Sequence, residues 1–329
     1  MHAASREMMV VPQTVQRDMA KDIVSGIAIT TFIVAVSMNI PVLGFFCALF
    51  IPLPILFYRS KLGRTTGVII PVFTVIVMVV MFGRITIDML IFVELLLIGF
   101  VLSEFIELNL SIEKTVLYTC GAVVISGLLG LIFYSNFYST GVYALVSEYV
   151  AKNLEITMSL YKNMGMPEEN IHMISNSLDH IQYVLVRIIP ALFIVSTVFV
   201  TWTSLLLAKP IFRAKALFYP AFGQLNLWKA PEPLVWGVIG CGLLLILPVN
   251  ALKMIGLNGI LVFLAIYFFQ GIAIVSFYFE KKRFSRILRF FLYSLIALQQ
   301  VLLFLIVGLG FFDMWLNLRK LEPDRDETR

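Results

Sequence analysis

Charge is what this sequence has least of. Asp, Glu, Lys and Arg make up 14% of the 329 residues, and hydrophobic residues make up 60%. An ordinary globular chain carries about 25% charged and about 45–50% apolar residues. A water-soluble protein of this size has too little interior for so much apolar surface, which excludes a soluble enzyme, a secreted disulfide scaffold and a disordered chain. Cysteine is nearly missing as well. Cys47, Cys120 and Cys241 sit singly inside apolar runs with no CxxC spacing, so they read as small core residues and no disulfide framework or zinc site is expected. The three histidines, His2, His172 and His180, fall outside every apolar run, and no third ligand completes a metal set with them. The P-loop pattern, HExxH and GxSxG are all absent, so nothing here cradles a nucleotide, and metalloprotease or hydrolase chemistry has no support. No cofactor is expected. A net charge of +5 invites a nucleic-acid reading, but no basic stripe interleaved with aromatics occurs, and nucleic acid is not expected as a partner.

What is present is a series of long apolar runs. A membrane-spanning helix needs about 20 such residues, and candidates occur at 23–40, 42–57, 66–82, 86–103, 115–134, 183–207, 234–252, 257–279 and 290–312. The chain therefore reads as an all-α, polytopic bundle with eight or nine spans in contact with a lipid bilayer. The second candidate carries Pro52 and Pro54 and is expected to be packed inside the bundle or re-entrant, because a broken helix needs partners for its freed carbonyls. The first apolar run is too long for a cleaved signal and lacks a clear cleavage site, so it is expected to remain as the first span.

Lys and Arg orient the array. With the N-terminus in the cytoplasm, the inner segments hold sixteen of them and the outer loops four, namely Arg84, Lys152, Lys162 and Lys253. Arg319 and Lys320 disagree with nine spans, which would leave them outside. A break at Gln299 and Gln300, letting 290–312 dip in and return, would give eight. The expected layout is a cytoplasmic segment 1–22, a six-helix module 23–207 with an outer loop 135–182, three further helices over 208–312, and a tail 313–329. Within the loop, apolar positions from Val142 to Lys162 follow a helical spacing. After Gly165 and Pro167 a second helix, started by Glu168 and Glu169, is expected to run straight into the span at 183–207.

Polar groups at membrane depth are costly, so each is a functional candidate. Asp88 and Arg187 lie at matched depth near the outer ends of their spans, Asn39 and Asn250 sit nearby in depth, and Glu94 and Gln270 lie deeper. Together these six are the candidate solute-binding set, set against the plainer reading of interhelical hydrogen bonds worth about 1 kcal/mol each.

The stretches LPILFYRSKLG (53–63), FQGIA (269–273) and GLGFFDMWLNLRKL (308–321) resemble the YybS-like family of predicted bacterial membrane proteins over nearly the whole chain. That family has no settled biochemical function. It is distantly similar to the S components of energy-coupling factor transporters and to the cell-shape protein MreD, a similarity covering about residues 23–207. The resemblance implies a bacterial inner-membrane protein that takes a small solute from outside and borrows its energy from coupling subunits. The alternative is an envelope scaffold that holds membrane-protein partners through Asp313, Trp315, Arg319 and Lys320.

Overall fold

The computed structural model of the protein describes residues 13–83 and 85–319, so Lys320 and Arg84, and residues 1–12 of the N-terminal segment, lie outside the described residues. The described residues form helices and no strand, and the chain divides into two compact units. The first comprises Met1–Tyr149 and Ser196–Ala221, the second Val150–Val195 and Phe222–Arg329.

In the first unit, α1 (Gln13–Asn39) is followed by α2 (Pro41–Ala48), α3 (Pro52–Leu62), α4 (Arg64–Gly67), α5 (Ile69–Phe82), α6 (Ile87–Glu107) and α7 (Ile112–Phe137). The prolines of the second span start a helix instead of kinking one. Pro52 and Pro54 open α3, and Pro52 stands at the first turn, where a backbone N–H has no acceptor to lose. As expected for an interrupted span, α3 is the inner helix. It packs on α1 and α6, and Pro52, Pro54, Ile55, Leu56, Tyr58 and Arg59 are buried. Gly99 of α6 makes that possible, because a Cβ there would run into the Pro52 carbonyl oxygen. Val34, Ile51, Ile55, Ile70, Met78 and Leu96 complete the core. Thr86 and Ser111 cap α6 and α7 by accepting from the N–H groups of Met89 and Lys114, and Gly83 ends α5 in the left-handed conformation.

The outward faces are as apolar as the core. Phe32, Val80 and Phe133 are 69%, 77% and 74% exposed, an arrangement that lipid solvates and water does not. Among the described residues, seven helical stretches are long and apolar enough to cross a membrane: Asp18–Asn39, Leu43–Leu62, Arg64–Phe82, Ile87–Glu107, Ile112–Phe137, Leu178–Ala214 and Asn250–Lys281.

The outer-loop expectation holds in outline. α8 (Val142–Asn163) ends before Gly165, which takes φ +77°, and α9 (Glu168–Asn176) begins after Pro167. One interruption at Ser177 separates α9 from α10 (Leu178–Ala214), which then runs unbroken through the span for 37 residues. Residues 178–195 of α10 belong to the second unit and the remainder to the first.

The second unit is built around α12 (Asn250–Lys281), which packs against α11 (Leu234–Ile246), α14 (Gln300–Leu316) and the short turn Leu225–Leu227. α11, with 13 residues, is shorter than a standard span. It forms an antiparallel hairpin with α12, Gly237 lying against Phe263 and Gly256 against the Cys241 carbonyl. α13 (Arg286–Leu298) meets α14 at a bend of 101°, with Gln299 between them in extended conformation. That is the break expected at the glutamines.

α14 then returns alongside α12. Gly271 and Gly310 face each other at the crossing, where a Cβ on either would strike the partner backbone, at Ile306 and Tyr267 respectively. Further along, the Tyr278 hydroxyl donates to the Leu318 carbonyl at 2.7 Å. The C-terminal ends of both helices therefore lie at one end of the unit, and Arg319 emerges on the side where α12 finishes at Lys281. One boundary needs correcting. α14 continues to Leu316 and is closed by Asn317 at φ +40°, so Asp313 and Trp315 are helical residues and no part of a free tail.

Candidate functional site

Four polar clusters stand out among the described residues, and in three of them the charged or amide groups are paired, although Nε of Arg59 and Nε of Arg319 have no hydrogen-bond partner. Asp313, on the inward face of α14, accepts from Gln270 Nε2 at 3.2 Å, from the Leu318 N–H at 2.9 Å and from Arg319 at 2.8 Å. Both partners of the ion pair have fully buried side chains. Arg319 also donates to the carbonyls of Asn226 and Trp228, both at 2.9 Å, and Gln270 Oε1 accepts from the Ala230 N–H at 3.1 Å. One residue proposed for solute and two proposed for partner binding thus form a single lock that ties α12, α14 and the 226–230 loop together. Trp315 is exposed beside it, edge-on to Phe311.

The second cluster escaped sequence reasoning. Arg59, counted there among inner-loop charges, is buried to 1% exposure. It pairs with Glu104 at 2.5 Å and with Glu107, lies over Phe100, and leaves room for Gly67 against its own backbone. The signal available was the pair Glu104 and Glu107, three apart at the end of an apolar helix, facing an arginine at the end of another.

The third, also missed, lies beside a proline. Pro190 lies within α10, and next to it the Ala191 N–H and Arg187 carbonyl are served from outside the helix. Asn258 Oδ1 accepts from Ala191 N at 2.8 Å, and Asn258 Nδ2 donates to Arg187 O at 2.9 Å. One amide thus serves a donor and an acceptor of the turn that holds the proline, whose ring cannot donate.

The fourth is incomplete. Glu94 sits seven residues into α6, about 10 Å along the helix, and is 9% exposed. Its Oε1 accepts from the Ser126 hydroxyl of α7 at 3.2 Å. Its Oε2 is buried without a hydrogen-bond partner among the described residues.

Each of the remaining candidates is described within its own unit. Asn39 is exposed and donates to the Ala35 carbonyl of its own helix at 2.7 Å. Asp88 is exposed and accepts from the Tyr149 hydroxyl at 2.8 Å. Arg187 lies 3.3 Å over the Tyr183 ring centroid and donates to the Tyr183 carbonyl. Asn250 is the exposed first residue of α12. Each partner given to Asp88 and Arg187 comes from the residue's own unit. No group of three His, Cys, Asp or Glu able to hold a metal forms among the described residues.

The arrangement of buried ionic locks within lipid-facing helices is that of an integral membrane protein, and the comparison with known families agrees. A family of predicted membrane proteins (DUF2232) matches residues 28–314. The chain belongs to this family. Its description fits a membrane family of unsettled function and lends nothing to the likeness with S components or MreD. No curated protein and no solved structure matches the chain.

Proposed function

We propose that this DUF2232 member is a transport-related protein of the bacterial inner membrane that binds a small solute within its first unit and draws energy from other subunits. The observation that carries this reading is the contrast between two buried carboxylates. Asp313 accepts three hydrogen bonds and faces a guanidinium, as a structural acid must. Glu94 has one bond from Ser126 and a buried, unsatisfied Oε2. An unmet acceptor in an apolar bundle costs about 1–3 kcal/mol, and a solute carrying an N–H or O–H donor would offset that cost. The charge bias puts the N-terminus in the cytoplasm, so α6 starts at the outer side and Glu94 lies in the outer half. No P-loop motif is present, which leaves this chain the binding role and assigns no enzymatic one. The scaffold alternative has less support, because Asp313 and Arg319 are buried in the lock, and of the three described candidates Trp315 alone faces outward.

Native mass spectrometry of gently extracted protein tests the proposal. A bound small molecule is expected on the wild type, lost in Glu94→Gln and weakened in Ser126→Ala, with the thermal midpoint preserved. The same molecule at the same occupancy on Glu94→Gln would remove Glu94 from any site.

A further inference from the structure

The first unit holds a second polar feature, at a membrane boundary. Asp22, Phe57, Tyr58, Lys61, Lys215 and Leu217 line a cavity of about 320 Å³. Asp22 lies near the start of the apolar run Asp18–Asn39, Lys61 is in the last turn of α3, and Lys215 follows the end of α10. The cavity therefore opens where three helices leave the apolar layer. Lys61 Nζ is already taken, at 2.6 and 2.8 Å from the two oxygens of Asp22. Lys215 is exposed, and its ammonium has no ion pair among the described residues. The lining thus carries two ammonium groups against one carboxylate, a single surplus positive charge, beside the phenol of Tyr58. Phe57 and Leu217 supply an apolar wall. Tyr219, two residues beyond Leu217, donates its hydroxyl to the Leu205 carbonyl at 2.9 Å and fixes the turn after α10. Burial pushes its phenol pKa up, so it stays a donor.

We infer that this cavity holds the phosphodiester of an anionic phospholipid, with Lys215 as the cation that meets it. A phosphodiester carries one negative charge, which matches the one surplus positive charge. The apolar wall suits the glycerol and upper acyl chain, and basic pockets between helices at a membrane surface are the usual place for such headgroups. The site is separate from Glu94 and stands whether or not that residue binds a solute.

The test is lipid retention by the full-length protein, delipidated and then titrated with phosphatidylglycerol, phosphatidylcholine or glycerol 3-phosphate under native mass spectrometry. Phosphatidylglycerol is expected to be retained over phosphatidylcholine, and Lys215→Gln to lower that preference about fivefold, the size expected for one lysine at an anionic surface. Lys215→Arg keeps the charge and should keep the preference. Lys282→Gln, exposed and outside the cavity, should leave it unchanged. An unaltered preference in Lys215→Gln, an equal loss in Lys282→Gln, or a lost preference in a folded Lys215→Arg would overturn the site. Displacement of the lipid by equimolar glycerol 3-phosphate would overturn the lipid as occupant and assign the cavity to a soluble phosphate.

Discussion

Replacing Asp313 by Asn should destabilise the second unit out of proportion to the change in shape. The carboxylate faces three donors: Gln270 at 3.2 Å, the Leu318 N–H at 2.9 Å and Arg319 at 2.8 Å. An asparagine can present its oxygen to Leu318 only by turning its NH₂ toward Gln270 and Arg319, a donor against two donors. Gln270 cannot flip to help, because its own oxygen already accepts from Ala230 N. Arg319 is left as a buried guanidinium without a counter-charge, and breaking a buried pair in this way costs about 3–5 kcal/mol. Arg319→Met should cost a similar amount, since it strands the carboxylate and also frees the Asn226 and Trp228 carbonyls. The double variant removes the uncompensated charge, so its cost should fall short of the sum by about 2 kcal/mol. Equilibrium unfolding in mixed micelles, read by tryptophan fluorescence and by proteolysis of the 217–233 connection, measures all three. Single costs below about 1 kcal/mol that simply add would refute the lock.

Asn258→Leu should cost about 2 kcal/mol, because it strands the Ala191 N–H and the Arg187 carbonyl beside Pro190; Asn258→Leu in a Pro190→Ala background should cost much less, and an equal cost in both backgrounds would show that the amide does not serve the proline turn. A cysteine at position 325 should be labelled from the same side of the membrane as one at Lys282, and from the side opposite to one at Lys253, since α12 and α14 finish together; labelling from the Lys253 side would require α13 and α14 to cross as one span.

Much of the architecture was legible in residues alone. Apolar run length found the long apolar helices, and the charges Arg319 and Lys320 left two readings open, of which a break at the glutamines is where the chain does turn. Sequence reasoning could place polar residues in depth but not around the helix axis. Asp88 and Arg187 were grouped because their depths match, yet depth fixes one coordinate of three, and these side chains take partners in Tyr149 and Tyr183. Arg59 was lost for the opposite reason. Its candidate span stopped at residue 57, so Arg59 was counted with the loop charges, whereas α3 runs on to Leu62 and holds Arg59 in the interior. Asn258 was invisible because its partners are backbone groups, which leave no trace in side-chain chemistry.

The three stretches that carry the family resemblance turn out to be the parts that hold helices together. LPILFYRSKLG supplies Arg59, paired with Glu104 and Glu107. FQGIA supplies Gln270 and the close-packed Gly271, and the C-terminal stretch supplies Gly310, Asp313 and Arg319 for the same junction. Most of their polar atoms are spent on one another or on backbone, with Nε of Arg59 and of Arg319 left over among the described residues. Membrane helices have little hydrophobic drive to associate, since lipid is as apolar as leucine, so close glycine contacts and polar bonds must fix their register. Motifs of this kind identify a fold and leave its chemistry unmarked. Two places to look for function are the second oxygen of Glu94, buried without a donor among the described residues, and the ammonium of Lys215, at a cavity whose lining has one positive charge in excess.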